Sequence, residues 1–218
     1  MAMTKSQNIH LWELMRAERE ALAEDLSTLT SEQWRHSTLC GRWDVEEVVA
    51  HLVAVASMNQ LRWLRSMIGA RFRVDVHNQR RIEEYRGRTP NETLDRFRQL
   101  VGSTTTPSSD VPAYLGEVLV HAQDIRRPLG MSRTPSVEAL IPVAEFFASR
   151  DFAVNSHRLV RGLSLRATDG PFNTGTGPMV SGPLLALVMT MAGRALYLEE
   201  LEGPGVSILR ARMEGTGG

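Results

Sequence analysis

The stretch GEVLVHAQD, residues 116–124, places three polar side chains inside an apolar run. Glu117, His121 and Asp124 follow one another at spacings of four and three, so a helix puts them on one stripe. The residues between them are apolar, which is typical of a buried helix. Buried polar groups of this kind need partners, because an unpaired charge in the interior is costly. Carboxylate and neutral imidazole are both suitable ligands for zinc and similar divalent metals.

A third metal ligand is predicted at His51, which lies in VVAHLVAV, another strongly apolar helical stretch. Two histidines and one glutamate contributed by two separate helices would leave one metal position open, as in catalytic zinc sites. Asp124 lies one turn beyond His121 and is predicted to accept a hydrogen bond from an imidazole N–H, which would orient that ring.

The same residues also have a purely structural interpretation. A lone buried histidine is more often a hydrogen-bonded core residue than a ligand, and the spacing E-x-x-x-H is by itself a weak signal. Glu117 would then pair with an arginine, and Asp124 with Arg126 or Arg127. Cys40 is interpreted as a small buried residue, because no base adjoins it in the sequence. The other histidines lie in polar or terminal contexts and are predicted at the surface: His10, His36, His77 and His157.

The composition argues against several classes of protein. Basic and acidic residues number 25 each, so the formal net charge is zero and no general attraction to nucleic acid or an anionic membrane is expected. The arginine runs at 71–73, 80–81 and 86–88 are interpreted as solvated helix faces. A single cysteine excludes an internal disulfide and a cysteine-cluster zinc site. The N-terminal stretch has neither a signal-peptide pattern nor a transmembrane run, so we expect a soluble cytoplasmic protein.

Helical periodicity dominates the first 150 or so residues. It predicts the following segments: an amphipathic helix over 6–28, a helix over 44–69 capped by Asp44, a segment over 75–101 interrupted at Thr89-Pro90, the helix of the opening stretch, and a helix over 136–150. The four tryptophans, Trp12, Trp34, Trp43 and Trp63, are predicted to form core or pocket wall. This part has the right size for an up-and-down four-helix bundle, a fold that often builds metal sites from facing helices.

The pattern changes in the last 60 residues. Residues 159–170 and 206–213 have the character of short strands, residues 171–183 are rich in glycine and proline, and residues 184–201 are helical. The predicted fold class is therefore α+β, with a helical bundle over residues 1–152 and a small α/β domain over residues 153–218.

Two motifs resemble those of a known family. Residues 34–52 give W-x5-C-x2-W-x-V-x2-V-V-A-H-L, and residues 116–130 give G-E-x3-H-x2-D-I-R-R-x-L-G. In order and spacing these motifs resemble the mycothiol-dependent maleylpyruvate isomerase family, which belongs to the DinB-like metal-binding bundles. Residues 165–213 resemble the small C-terminal domain of the same family. The chain has C-G-R-W where many relatives have C-P-G-W; the Cys and Trp keep their spacing, so the departure is confined to the local turn.

The resemblance implies a zinc ion held by the histidine of A-H-L and by the glutamate and histidine of E-x3-H. These are His51, Glu117 and His121, the three residues already predicted. It also implies a functional arginine in the G-R pair of the C-terminal domain, here Arg194. Arginine suits such a role because it forms bidentate contacts with carboxylates. Finally, the resemblance implies mycothiol, the low-molecular-weight thiol of actinobacteria, as cosubstrate.

The expected function is that of a metal-dependent, mycothiol-using S-transferase or cis–trans isomerase. A thiol at the open metal position, with zinc or nickel as the metal, would lose its proton and attack an electrophilic small molecule. Two alternatives stay open. Metal-bound water, with Asp124 as general base, would give a hydrolase, and closed coordination would give a non-catalytic metal-binding module. The sequence leaves the electrophile and the choice between monomer and homodimer undecided.

Overall fold

A computed structural model describes residues 4–41 and 43–215. The helices are α1 (Lys5–Ser27), α2 (Val45–Ser57), α3 (Gln60–Gly69), α4 (Val74–Tyr85), α5 (Pro90–Gln99), α6 (Val111–Arg126), α7 (Val137–Ser149), α8 (Ser156–Val160), α9 (Leu184–Met191) and α10 (Val206–Glu214). The strands are β1 (Ser164–Ala167), β2 (Asn173–Gly175) and β3 (Met179–Gly182), and 3-10 turns lie at Gln33–Arg35 and Ala195–Glu200. The predicted α+β class is confirmed. Among the described helices, none has both the length and the hydropathy of a membrane span.

The chain divides into two compact units, Met1–Arg133 and Thr134–Gly218. In the first unit, α1 and α2 each contact α5 and α6, and these four helices form the bundle. Helix α4 packs on α2, and α3 packs on α4. Helix α7 belongs to the second unit because its buried face, which includes Val143 and Phe147, packs on α9. The division therefore falls before α7, whereas the domain boundary expected from the sequence falls after it.

Two helix starts in the bundle follow from capping residues that the sequence marks. Asp44 accepts a hydrogen bond from the backbone N–H of Glu47, and the Glu47 side chain accepts one from Asp44 N–H, so the predicted capping box of α2 is confirmed. Thr89 caps α5, and Pro90 occupies its first turn. The predicted interruption between α4 and α5 is therefore also confirmed.

The single helix predicted over 44–69 is wrong, because the chain breaks between α2 and α3. Met58 has extended backbone angles of φ −104° and ψ 118°, and it ends α2. The side chain of Asn59 then accepts from Arg62 N–H and starts α3. Apolar periodicity continues across the break without glycine or proline, which is why the pattern alone does not reveal it.

The second unit differs more from its sequence prediction. Residues 159–170 contain the end of α8 and only a four-residue strand, while the turn-like segment 171–183 contains β2 and β3. The strand predicted over 206–213 is wrong: it is helix α10, with Leu209 buried. The helix predicted over 184–201 ends at Met191, and Gly193 then adopts a φ of 88° before a 3-10 turn. The sheet order is β2-β1-β3, with β1 antiparallel to β2 and parallel to β3.

Candidate metal centre

Helix α6 is buried at every position except one. Fifteen of its sixteen residues are buried, and the exception is Glu117, whose side chain is 19% exposed. His121 and Asp124, on the same stripe, are 8% and 0% exposed. His51, in the middle of α2, is also 8% exposed. The predicted burial is therefore confirmed for His51, His121 and Asp124, whereas Glu117 is only partly buried.

The imidazoles of His51 and His121 face the same oxygen of Glu117. Nε2 of His51 lies 3.2 Å from Oε2 of Glu117, and Nε2 of His121 lies 3.3 Å from that oxygen. The two rings are 5.1 Å apart and nearly perpendicular, at 81°. One nitrogen or oxygen atom from each residue lies within 4.8 Å of the other two. The fold thus brings together the three residues that the sequence predicted as metal ligands.

The charges in this cluster are mutually compensating. Burial by itself would raise the pKa of Glu117, but hydrogen bonds from His121 and His51 hold that pKa well below its usual range. Burial would lower the pKa of His121, but hydrogen bonds to Asp124, Cys40 and Glu117 outweigh it and raise that pKa well above its usual value. Burial dominates at His51 and lowers its pKa. The two imidazoles therefore favour the ionised form of the Glu117 carboxylate.

Asp124 fixes the orientation of the His121 ring. Its Oδ2 lies 3.0 Å from Nδ1 of His121, which leaves Nε2 of the ring directed at Glu117. This is the hydrogen bond predicted for Asp124, and such contacts commonly orient histidine ligands. The structural interpretation offered Arg126 as a partner of Asp124. Arg126 instead donates a hydrogen bond to Asp25 on α1, at 2.8 Å.

The loop before α2 brings Cys40 to the cluster. Leu39 donates its backbone N–H to the carbonyl of Asp124, and Cys40 Sγ lies 3.4 Å from Nδ1 of His121. The sequence places no histidine beside Cys40, but the fold brings this imidazole next to it. Cys40, His121 and Asp124 form a second group whose ligand atoms lie within 4.8 Å of one another. Arg42, in the turn that differs from C-P-G-W, lies outside the described residues.

Trp43 forms one wall of the cluster. Its ring centroid lies 5.0 Å from that of His51 and 6.3 Å from that of His121. Its indole Nε1 is buried and has no acceptor among residues 4–41 and 43–215. The prediction that this tryptophan is core or pocket wall is confirmed. The structure further shows that the wall it forms lies beside both histidines.

His77 is a buried residue that the sequence misplaced at the surface. It lies on α4, which packs on α2, and it is 6% exposed. Burial lowers its pKa, and the nearby positive charge of Arg81 lowers it further. Its neighbours Asn78 and Gln79 are polar, so no apolar run marks this position as buried. His10 and His36 are exposed, as predicted.

Arg194 lies in the second unit, directly after Gly193. Its backbone N–H donates to the carbonyl of Met189, and its Nη1 donates to the carbonyl of Ala192 at 2.6 Å. These contacts hold the arginine at the start of the 3-10 turn Ala195–Glu200. Its functional role stays a prediction.

The fold and the cluster define a class of protein: a helical bundle with a buried two-histidine, one-glutamate site, joined to a small α/β unit. Residues 15–113 match the family model of the mycothiol maleylpyruvate isomerase N-terminal domain. The match confirms the resemblance found in the sequence for the N-terminal domain, over this part of the chain. The matched segment includes His51 and ends before Glu117.

Two solved structures share the fold over most of the chain. They are the mycothiol-dependent maleylpyruvate isomerase and a variant of it with one histidine replaced by alanine. Each is 16% identical to this chain and covers 93% of it, with 96% of its own chain included. The TM-scores are 0.63 for the unsubstituted protein and 0.64 for the variant. No curated protein matches the sequence.

Proposed function

We propose that the protein is an enzyme of the isomerase or transferase kind that uses mycothiol and a divalent metal held by His51, Glu117 and His121. One observation supports this above the others: two imidazole nitrogens from different helices face one carboxylate oxygen. The domain match over residues 15–113 supports the identification of the thiol as mycothiol. The match and the shared fold together support the proposal that the protein is an enzyme.

The residues of the cluster fit a divalent cation. Two imidazole nitrogens and one carboxylate oxygen are ligands that zinc and nickel both accept. The two N–H groups directed at Glu117 occupy the place where a cation would meet all three residues. A bound metal would supply a positive charge that lowers the pKa of a thiol and makes it a nucleophile at neutral pH.

The surrounding residues orient and shield this set. Asp124 accepts the Nδ1–H of His121, so the other nitrogen of the ring remains directed at Glu117. Trp43 covers the histidine rings on one side and excludes water there. In the proposed reaction, the thiolate sulfur adds to an activated double bond. The substrate then rotates about the resulting single bond, and expulsion of the thiolate completes a cis–trans isomerisation. If the carbanion formed by addition instead takes up the proton that the thiol lost, release of the adduct would be S-transfer.

The burial of Asp124 favours this thiol chemistry over hydrolysis. A hydrolase would need a carboxylate free to take a proton from water beside the metal. Asp124 is 0% exposed and already accepts a hydrogen bond from His121, so it suits an orienting role. Arg194 is proposed to bind a carboxylate of the substrate or a polar group of the thiol.

The proposal is tested by optical titration of the cobalt(II)-substituted protein with mycothiol. A near-ultraviolet sulfur-to-cobalt band that grows with added mycothiol is the expected result. Cys40 is a second possible source of such a band, because its sulfur lies 3.4 Å from His121. The titration is therefore repeated with Cys40→Ser, which must keep the mycothiol-dependent band.

Two outcomes would overturn parts of the proposal. Cobalt binding without a mycothiol-dependent band would mean that the thiol does not bind the metal, and it would favour hydrolysis by metal-bound water. If the wild type binds cobalt no better than Glu117→Ala does, the cluster is only a hydrogen-bonded core network.

A further inference from the structure

The segment 60–74, which comprises α3, the turn after it and the first residue of α4, exposes most of its apolar side chains. Leu61 is 73% exposed, Ile68 56% and Phe72 66%. Ten large hydrophobic residues are exposed in the described part of the chain, and six of them lie in this one segment: Leu61, Trp63, Leu64, Ile68, Phe72 and Val74. Single exposed apolar residues are ordinary, but a contiguous patch marks an interaction surface.

Helix α3 has one broad apolar face, of which only one edge is buried. Met67 is buried, and α3 packs on α4. Leu61, Leu64 and Ile68 follow the spacing i, i+3, i+7 and form an exposed stripe beside Met67. Core packing therefore accounts for the Met67 edge of this face and leaves the exposed stripe without an explanation in the fold.

The turn after α3 extends the same surface. Arg71 and Phe72 adopt φ values of +53° and +58°, which are uncommon for residues with a side chain. The backbone N–H of Phe72 donates to the carbonyl of Met67 at 2.8 Å, which closes the turn. This conformation holds the Phe72 ring in an exposed position immediately after the stripe.

The segment also carries a local positive charge. It contains Arg62, Arg65, Arg71 and Arg73 and no aspartate or glutamate, although the whole chain has a formal net charge of zero. Arg62 and Arg73 have acidic neighbours outside the segment, Glu84 at 3.7 Å and Asp75 at 3.1 Å, but both arginine side chains stay more than half exposed. The zero net charge predicted no attraction to a membrane, but that prediction takes no account of how unevenly the charge is distributed.

From this combination we propose that residues 60–74 dock the protein on an anionic lipid bilayer. An exposed apolar stripe flanked by arginines, with a tryptophan at its border, is the arrangement by which helices lie in a membrane interface. A second copy fits less well, because a two-fold contact would bring the four arginines of one chain against the same four of the other. The proposal does not depend on the metal centre.

The test measures binding of the full chain to sedimented vesicles. Vesicles of equal parts phosphatidylglycerol and phosphatidylcholine should bind the protein, added salt should weaken binding, and pure phosphatidylcholine should bind it poorly. Ile68→Gln should lower partitioning about tenfold. Ile9→Gln is the matched control, because Ile9 is 52% exposed on α1, close to the 56% of Ile68, and lies outside the segment. The control should bind like the wild type.

The electrostatic part is tested with the double variant Arg65→Gln/Arg71→Gln against Arg88→Gln, whose arginine side chain is 94% exposed elsewhere. The double variant should lose the preference for anionic vesicles, and Arg88→Gln should keep it. Circular dichroism checks that each variant is folded. Equal binding to neutral and anionic vesicles, or unchanged binding by Ile68→Gln and the double variant, overturns the proposal. A dimer in light scattering that Ile68→Gln dissociates, without vesicle binding, assigns the surface to a second copy instead.

Discussion

The sulfur of Cys40 lies 3.4 Å from Nδ1 of His121, although the two residues are 81 positions apart in the sequence. The opposite nitrogen of the same ring, Nε2, faces Glu117 at 3.3 Å. Cys40 is therefore beside the candidate metal centre, but on the edge of the imidazole that the proposed metal does not use.

From this arrangement we expect Cys40→Ser to keep the metal affinity of the wild type, whereas His121→Ala should lose it. The serine hydroxyl can still face Nδ1, and the three proposed ligands are unchanged. Affinity is measured by competition with a chromophoric chelator. A large loss of affinity in Cys40→Ser would place the metal at the group formed by Cys40, His121 and Asp124 instead.

Asp124→Asn should weaken metal binding without abolishing it. The amide cannot orient His121 as the carboxylate does, and such partners of ligating histidines typically contribute about 10–100-fold in affinity. The same competition assay applies, with Asp95→Asn as control, because Asp95 is an exposed carboxylate paired with Arg98. A loss as complete as in Glu117→Ala would instead indicate that Asp124 is itself a ligand.

The ion pair between Arg126 and Asp25 should be important for stability. Arg126 is 0% exposed, and Asp25 lies 2.7 Å from its Nη2. Asp25→Ala would leave a buried guanidinium without its counter-charge, at a cost of about 3–5 kcal/mol in the free energy of unfolding. The neighbouring Glu24, 74% exposed and paired with Arg133, provides the control. Glu24→Ala should cost less than about 1 kcal/mol. Urea unfolding measures both, and equal losses would contradict the argument.

His77 should make the folded chain sensitive to acid. Burial comes first among the causes that lower its pKa, so the folded state binds a proton on this ring only below the unfolded value of 6.5. As the pH falls through that value, the unfolded state takes up the proton first and the folded state loses stability, by at most about 1.4 kcal/mol per pH unit.

The variant His77→Gln lacks this titrating group. Its free energy of unfolding should therefore fall less than that of the wild type between about pH 7 and about pH 5. The measurement is made on chelator-treated protein, so that metal binding does not contribute to the pH dependence. Parallel curves for the two proteins would mean that His77 has the same proton affinity in both states.

The bundle and the polar stripe of α6 could be predicted because their signals are local. The spacing of Glu117, His121 and Asp124 on an apolar helix determines a shared face, and Asp44 marks the start of α2. His51 could be added because it is polar within an apolar helix. Their assignment as metal ligands stays a prediction, since distances alone do not identify an ion.

The remaining features depend on tertiary contacts that no local pattern contains. Cys40 reaches His121 only because the loop before α2 binds the backbone of Asp124 through Leu39. His77 is buried because α4 packs on α2, although its own neighbours are polar. The segment 206–213 is too short for its periodicity to separate strand from helix, and the packing of Leu209 decides for α10.

Two imidazoles from different helices face Glu117. His121 lies on the same helix as Glu117, and His51 lies on α2, 66 positions away from Glu117 in the sequence. Their N–H groups already satisfy the Glu117 carboxylate, so its hydrogen bonding does not require an ion. Zinc fingers, by contrast, remain unfolded until they bind metal. Under the proposed metal binding, maturation would accordingly proceed in two stages, with metal loading after folding. The ion bound would then be set by metal availability in the cell and not by the folding pathway.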